Sequence, residues 1–100
     1  MNIEEAVIKW ADMSENSVLV AKPPLTWGAD ALFVELDEDY CVPQKIKEEG
    51  YEYLLGREEI ERWVNYLKKK KVGTRTAAEF IIHYSITDCT PEWIDDIPDI

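Results

Sequence analysis

Along the chain the apolar residues fall into short patterned runs, and each pattern predicts an element. Ile3, Ala6, Val7, Trp10 and Met13 recur at helical spacing, which makes the N-terminal segment a helix with one apolar stripe. Asn2 and Glu5 stand at the spacing of a capping box, and Glu4 and Glu5 suit the positive end of the helix dipole. The polar run from Ser14 to Ser17 ends this helix. Val18 to Ala21 is a short apolar run stopped by Pro23 and Pro24. Over residues 31–37, Leu32, Val34 and Leu36 alternate with Ala31, Phe33 and Glu35, the period of a strand. Residues 23–30 between these runs are too many for a tight hairpin turn, and they predict a loop carrying Leu25 and Trp27.

In the second half, Pro43 can open a short helical turn through Glu49, because proline is tolerated at the first helical position. Gly50 ends that turn. Tyr51 to Leu55 reads as a third strand with aromatic residues on one face. Residues 57–71 form the strongest helical pattern, with Ile60, Trp63, Val64 and Leu67 along one side. Glu58, Glu59 and Glu61 lie in its first turn and Lys68 to Lys71 in its last, so both ends complement the dipole. Gly73 is a natural stop. Thr76 and Glu79 repeat the capping-box spacing and open a helix through about Thr87. Ala77, Phe80, Ile81, Ile82 and Tyr84 make that helix broadly apolar and hence the most buried. The tail from Thr90 to Ile100 alternates bulky apolar and acidic residues, and Trp93, Ile94 and Ile97 are expected to pack it down.

The element order is α-β-β-(short α)-β-α-α. It predicts an α+β fold with a small, mostly antiparallel sheet of about three strands and helices packed on one face. Residues 1–100 form a single domain without an internal repeat. A chain of 100 residues, 46% of them apolar, can build one core without a disulfide or a metal. No run approaches the roughly 18 apolar residues of a membrane span. Glu4 and Glu5 occupy the place where a secretory signal carries Lys or Arg, so the expected location is cytoplasmic. Cys41 and Cys89 belong to no Cys-x-x-Cys pair, and in a reducing compartment they are expected as free thiols. Spacing alone leaves open whether they ever pair.

Charge changes the picture further. The net charge is −10, and it is unevenly spread. Residues 23–44 contain no Lys or Arg but hold Asp30, Glu35, Asp37, Glu38 and Asp39. Residues 76–100 again contain neither, against Glu79, Asp88, Glu92, Asp95, Asp96 and Asp99. The basic residues concentrate between Arg57 and Arg75. Such a field repels nucleic acid and anionic membrane, and it speeds encounter with a basic partner.

Candidate chemistry is thin by comparison. The one histidine, His83, falls within an apolar helical run, the place of a partly buried core residue. No nucleophile elbow, phosphate loop or zinc-protease motif occurs. Cys89 has no basic neighbour in sequence to lower its pKa. Asp37, Asp39 and Glu48 match the first, third and twelfth places of a calcium loop. Cys41, Val42 and Pro43 break that register at a ligand, at the turn glycine and at the next place. Neither a metal nor another cofactor is expected. A carboxylate pair for glycoside chemistry carries no signal in a chain so rich in acid. Lys68 to Lys71 with Arg75 is the only basic run, and a run at a helix end is a solvated terminus before it is a phosphate site.

What remains is aromatic residues set among acids. Glu35, Asp37, Glu38, Asp39 and Tyr40 form one set, and Asp88, Glu92, Trp93, Asp95 and Asp96 the other. Tyrosine and tryptophan supply binding hot spots and carboxylates pair with Lys and Arg on a partner, so these ten residues are the candidate partner-binding set. The alternative is that Tyr40 and Trp93 simply close the core.

Three stretches carry a family resemblance: Pro43 followed by Gly50-Tyr-Glu-Tyr-Leu-Leu55, Trp63-Val-Asn-Tyr-Leu67, and Phe80-Ile-Ile-His-Tyr84 with Asp88. This pattern of apolar and aromatic positions, over the C-terminal two-thirds of the chain, resembles small immunity proteins of contact-dependent growth inhibition and other polymorphic toxin systems. The resemblance implies a cytosolic protein that binds one cognate toxin domain, often a basic nuclease, and masks its active site or substrate path. It implies no catalytic residues, and it transfers no contacts. Two other readings stand beside it: an acidic nucleic-acid mimic directed at a host nuclease or DNA-binding protein, and a small carboxylate-dependent enzyme.

Overall fold

Strand β1 (Ser17–Ala21) is the centre of the computed structural model, which describes residues 1–100. It lies between β2 (Ala31–Glu35) and β3 (Glu52–Gly56), antiparallel to both, in the order β2-β1-β3. All five of its residues are buried. That explains why its apolar run is continuous: a strand covered on both faces has no solvent side to mark with polar residues. With β2 the register runs unbroken from Ser17↔Glu35 to Ala21↔Ala31. With β3 it slips, from Leu19↔Leu55 to Val20↔Tyr53. Leu54 is the extra residue of this bulge, and Leu54 and Leu55 both enter the same core.

The two faces of the sheet differ in depth. Leu19, Ala21 and Ala31 look onto the main core. There they meet Ile3 and Val7 of α1 (Ile3–Ile8), Ile60 and Leu67 of α3 (Arg57–Leu67), and Phe80 and Ile81 of α4 (Thr74–Thr87). Val18 and Val20 look the other way, onto Val42 and Ile46, the latter from the short α2 (Gln44–Glu48). The fold is thus the expected α+β arrangement in the expected order. The three longer helices form one layer, and α2 with its preceding loop closes the opposite face.

Helix ends follow the sequence in part. The Asn2 capping box forms: Asn2 Oδ1 accepts the Glu5 N–H at 2.8 Å, and the Glu5 carboxylate accepts the Asn2 N–H at 3.2 Å. α1 is shorter than its apolar stripe, because the chain tightens into a 3-10 turn at Trp10–Asp12. Arg57 holds that turn, donating from Nε to the Met13 carbonyl at 2.9 Å and lying 5.5 Å from the Trp10 ring centre. Gly50, at φ +95, ends the loop after α2 as a glycine can.

Three expectations are corrected. α3 stops at Leu67 with Lys68 as its C-cap, and the rest of the lysine run, Lys69 to Lys71, lies beyond the helix. It pairs with the C-terminal segment instead: Ile100 N–H donates to Lys69 C=O at 2.8 Å, Lys71 N–H to Pro98 C=O at 3.0 Å, and Lys70 Nζ meets Asp99 at 3.1 Å. The Thr76–Glu79 capping box does not form, because α4 begins at Thr74 with Gly73 before it and no side-chain cap. The Thr74 hydroxyl donates to the Glu4 carboxylate, Arg75 pairs with Glu4 at 3.7 Å, and Arg75 lies 3.9 Å from the Trp27 ring centre. These contacts tie the start of α4 to α1 and to the 23–30 loop. α4 buries Ala78, Phe80 and Ile81 wholly, yet it is not the most buried helix, since four of its 14 residues are buried against three of six in α1. The tail packs down through Pro91 and Ile94, and the Trp93 ring meets Phe80 edge-on at 6.3 Å. No helix is long and apolar enough to cross a membrane.

Candidate functional site

The ten candidate residues occupy two surfaces. The first begins at Glu35, exposed at the last position of β2, whose carboxylate accepts the Ser14 hydroxyl at 3.2 Å. Asp37 turns back on its own loop. Its Oδ1 accepts the backbone N–H groups of Asp39 at 2.9 Å and Cys41 at 3.0 Å, while its own N–H donates to the Cys41 carbonyl at 2.9 Å. An aspartate closing its own turn in this way shapes backbone first. Glu38 and Asp39 are exposed. Tyr40 is 82% exposed at φ +60, so it does not close the core. A bulky residue in the left-handed region is uncommon, and it is held there by the turn on either side.

Beside this loop lies a groove of about 610 Å³, running from the 36–42 segment to the start of α3. Val18, Leu36 and Val42 supply apolar lining, and Tyr40 and Tyr53 supply rings. Glu15, Glu58 and Glu59 bring carboxylates, against Lys47 and Arg57. Arg57 is committed elsewhere, to Met13, Trp10 and Glu61. Burial, followed by the nearby charge of Glu59, pushes the Tyr53 hydroxyl above its ordinary pKa. The side chains of Glu15 and Glu58 enter no hydrogen bond or ion pair.

The second surface is the C-terminal segment. Asp88 closes α4 in a left-handed conformation at φ +56, and the Thr87 hydroxyl knits the next residues by accepting the Cys89 N–H at 3.2 Å. Glu92, Asp95 and Asp96 are exposed on the 3-10 turn Glu92–Asp96. Trp93 is half-buried against Phe80 and is a packing residue with one side left over. That side borders a smaller groove of about 430 Å³ together with Leu25, Trp27, His83 and Ile86. His83 is half-buried there, and Ile86 is 65% exposed. No cavity is shared between the two surfaces.

The charge balance at the surface follows from where the cations go. Only Glu61, Asp99 and Glu4 sit in ion pairs, out of 21 carboxylates. Lys22, Arg57, Arg62, Lys68, Lys70 and Arg75 lie over aromatic rings, 3.9 to 5.8 Å from their centres, and Arg57, Lys70 and Arg75 among them are also the cations of those ion pairs. About half of the positive charge is thereby kept close to rings, while most of the carboxylates enter no ion pair.

Sequence reasoning missed Glu15, Tyr53, Glu58 and Glu59. Glu58 and Glu59 read as helix-dipole partners, which explains their place in the first turn of α3 without pointing to a groove. The period-two spacing of Tyr51 and Tyr53 was the available signal, since it sets both rings on the Val18 and Val42 side of the sheet. Cys41 and Cys89 are free and exposed. No group of three or more His, Cys, Asp or Glu side chains is placed to hold a metal ion. Comparison with family models, curated proteins and solved structures finds no match to this chain.

Proposed function

We propose that this chain is an immunity-type inhibitor: a cytoplasmic protein that binds a cognate toxin domain with a basic, nuclease-like surface and masks its active site or substrate path. The observation that carries this reading is the unequal fate of the charges. Six of the eleven cations lie over rings, and most carboxylates are left without an ion pair, including those of two surfaces that also offer aromatic residues. Unpaired like charge destabilises a free domain through self-repulsion, and a basic partner relieves it. Long-range attraction would speed encounter, and the aromatic residues would hold the complex once formed. Glu35, Asp37, Glu38, Asp39 and Tyr40 on one surface and Asp88, Glu92, Trp93, Asp95 and Asp96 on the other are the contact set in this reading.

Co-expression with the product of the adjacent upstream gene tests it. The expected result is a complex that co-purifies at low salt, weakens as salt rises, and protects cells from that product. Absence of any complex at low salt overturns the reading. Binding to an unrelated host nuclease or DNA-binding protein, with phage genes as neighbours, would replace it with the nucleic-acid mimic.

A further inference from the structure

The tryptophans and tyrosines of this chain share a habit with two exceptions. Trp10, Trp27, Trp63, Tyr51 and Tyr66 each carry a Lys or Arg over the ring. Tyr84 and Trp93 are stacked against other rings. Among the tryptophans and tyrosines only Tyr40 and Tyr53 have neither, and these two line the same groove. They are also 82% and 53% exposed. Around them stand Glu15 and Glu58 without partners, and Glu59 beside the Tyr53 hydroxyl.

We infer that the groove between the 36–42 segment and the start of α3 is an arginine-recognition site, taking a guanidinium from the partner protein onto Tyr40 and Tyr53 with its N–H groups directed to Glu15, Glu58 and Glu59. This rests on the inhibitor reading for the identity of the partner, but the groove has its own chemistry. A guanidinium is flat, stacks on an aromatic face and offers five donors in a fixed fork. Two free rings and three carboxylates around one groove match that set more fully than they match a point-charge ammonium. The chain builds the same arrangement for itself a short distance along the groove wall. Arg57 lies over Trp10, donates from Nε to the Met13 carbonyl and pairs through Nη1 with Glu61 at 3.3 Å. Val18, Leu36 and Val42 give the aliphatic stem of an arriving arginine a surface to lie on.

Lys47 also lines the groove and has no acidic partner. It acts as a competitor, because its charge opposes that of an arriving guanidinium. The site therefore makes an unusual demand: removing a surface lysine should tighten binding of a basic ligand.

The experiment is a titration of the full chain with a blocked Gly-Arg-Gly-Arg-Gly peptide, followed by chemical shifts of the tyrosine rings. The lysine and citrulline versions of the same peptide serve as probes of charge and of shape. The expected result is that the arginine peptide shifts Tyr40 and Tyr53, binds about fivefold tighter than the lysine peptide, and loses its binding when citrulline replaces arginine. Tyr40→Asn, which removes the ring but suits the left-handed backbone, should weaken the arginine peptide by about fivefold, and Glu58→Gln by about as much. Lys47→Gln should strengthen it. Backbone spectra of each variant confirm that the fold is kept. Equal affinity for arginine and lysine peptides, or shifts that map to Trp93 and Ile86 instead, would overturn the site.

The two proposals separate cleanly. A toxin complex unaffected by the Tyr40→Asn, Glu58→Gln double variant removes the groove as its arginine site and leaves the inhibitor reading. A groove that selects the arginine peptide, in a chain that binds no neighbouring toxin, removes the inhibitor reading and leaves the groove.

Discussion

The two acidic surfaces read alike in sequence, an aromatic residue among carboxylates, yet they fold in opposite senses. At the sheet end the carboxylate turns in and the ring turns out: Asp37 ties its own loop through two backbone N–H groups, and Tyr40 stands in solvent. In the C-terminal segment the ring turns in and the carboxylates turn out: Trp93 packs on Phe80, and Asp95 and Asp96 are exposed. The first surface is held locally and offers a free aromatic face. The second is anchored to the main core and offers charge over a packed base. A composition rich in acid and aromatics therefore does not by itself say which group will meet a partner. Local hydrogen bonding decides it in one place, and tertiary packing in the other.

The largest test of this contrast is Phe80→Ala. Removing a wholly buried ring costs about 3–5 kcal/mol, so thermal and denaturant unfolding should both shift far downward. Under native conditions amide exchange should accelerate more over residues 91–97 than over 37–41. Equal acceleration would show that the two regions share one anchor. Asp37→Ala comes next. It should cost about 1 kcal/mol by denaturant unfolding, because two loop N–H groups lose their acceptor. The double change Asp95→Ala, Asp96→Ala should leave stability level or slightly higher, since neither residue enters an ion pair.

Alkaline titration sharpens the comparison by a smaller amount. Burial and the charge of Glu59 raise the pKa of Tyr53, so the fold favours its neutral hydroxyl. That contribution is fully present below the ordinary tyrosine pKa and is lost as pH rises through the raised folded value. Ultraviolet titration should find Tyr53 ionising above the ordinary tyrosine value, and Glu59→Gln should lower it. The smallest effect belongs to the tail. The hydrogen bond that Lys70 donates to Asp99 is the main cause of the raised Lys70 pKa, and this support is likewise complete below the ordinary lysine value and lost above the raised one. Asp99→Asn should speed exchange of the Ile100 amide while barely moving the melting temperature.

Elements whose cause was local were legible in the sequence. The Asn2–Glu5 box, the alternation in β2, the turn after Pro43 and the apolar face of α3 all follow from neighbours within a few residues. Failures came where a distant group competed. Thr74 found Glu4 across the molecule, so α4 began earlier than its own capping signal allowed. Beyond the Lys68 cap, Lys69 and Lys71 leave the helix and meet Ile100 and Pro98 through backbone hydrogen bonds, partners that no local pattern announces. The groove was the least legible feature. Tyr53 faces it from β3, Tyr40 from a loop, Glu58 and Glu59 from a helix start and Glu15 from the turn before β1. No spacing rule along the chain links residues that only the sheet brings together.

The position of β1 has a consequence for the order in which the protein can be made. Of the three strands of this sheet it leaves the ribosome first, yet both of its edges are paired only after β3, which ends at Gly56, has followed. Until then the nascent chain carries Ser-Val-Leu-Val-Ala, an uncharged and β-prone run, with one edge bare. Glu15 before it and Lys22 after it are the nearest charges, placed as gatekeepers are. Fragments that stop short of Gly56 would keep that edge open, and their own copies are the nearest strands available to close it.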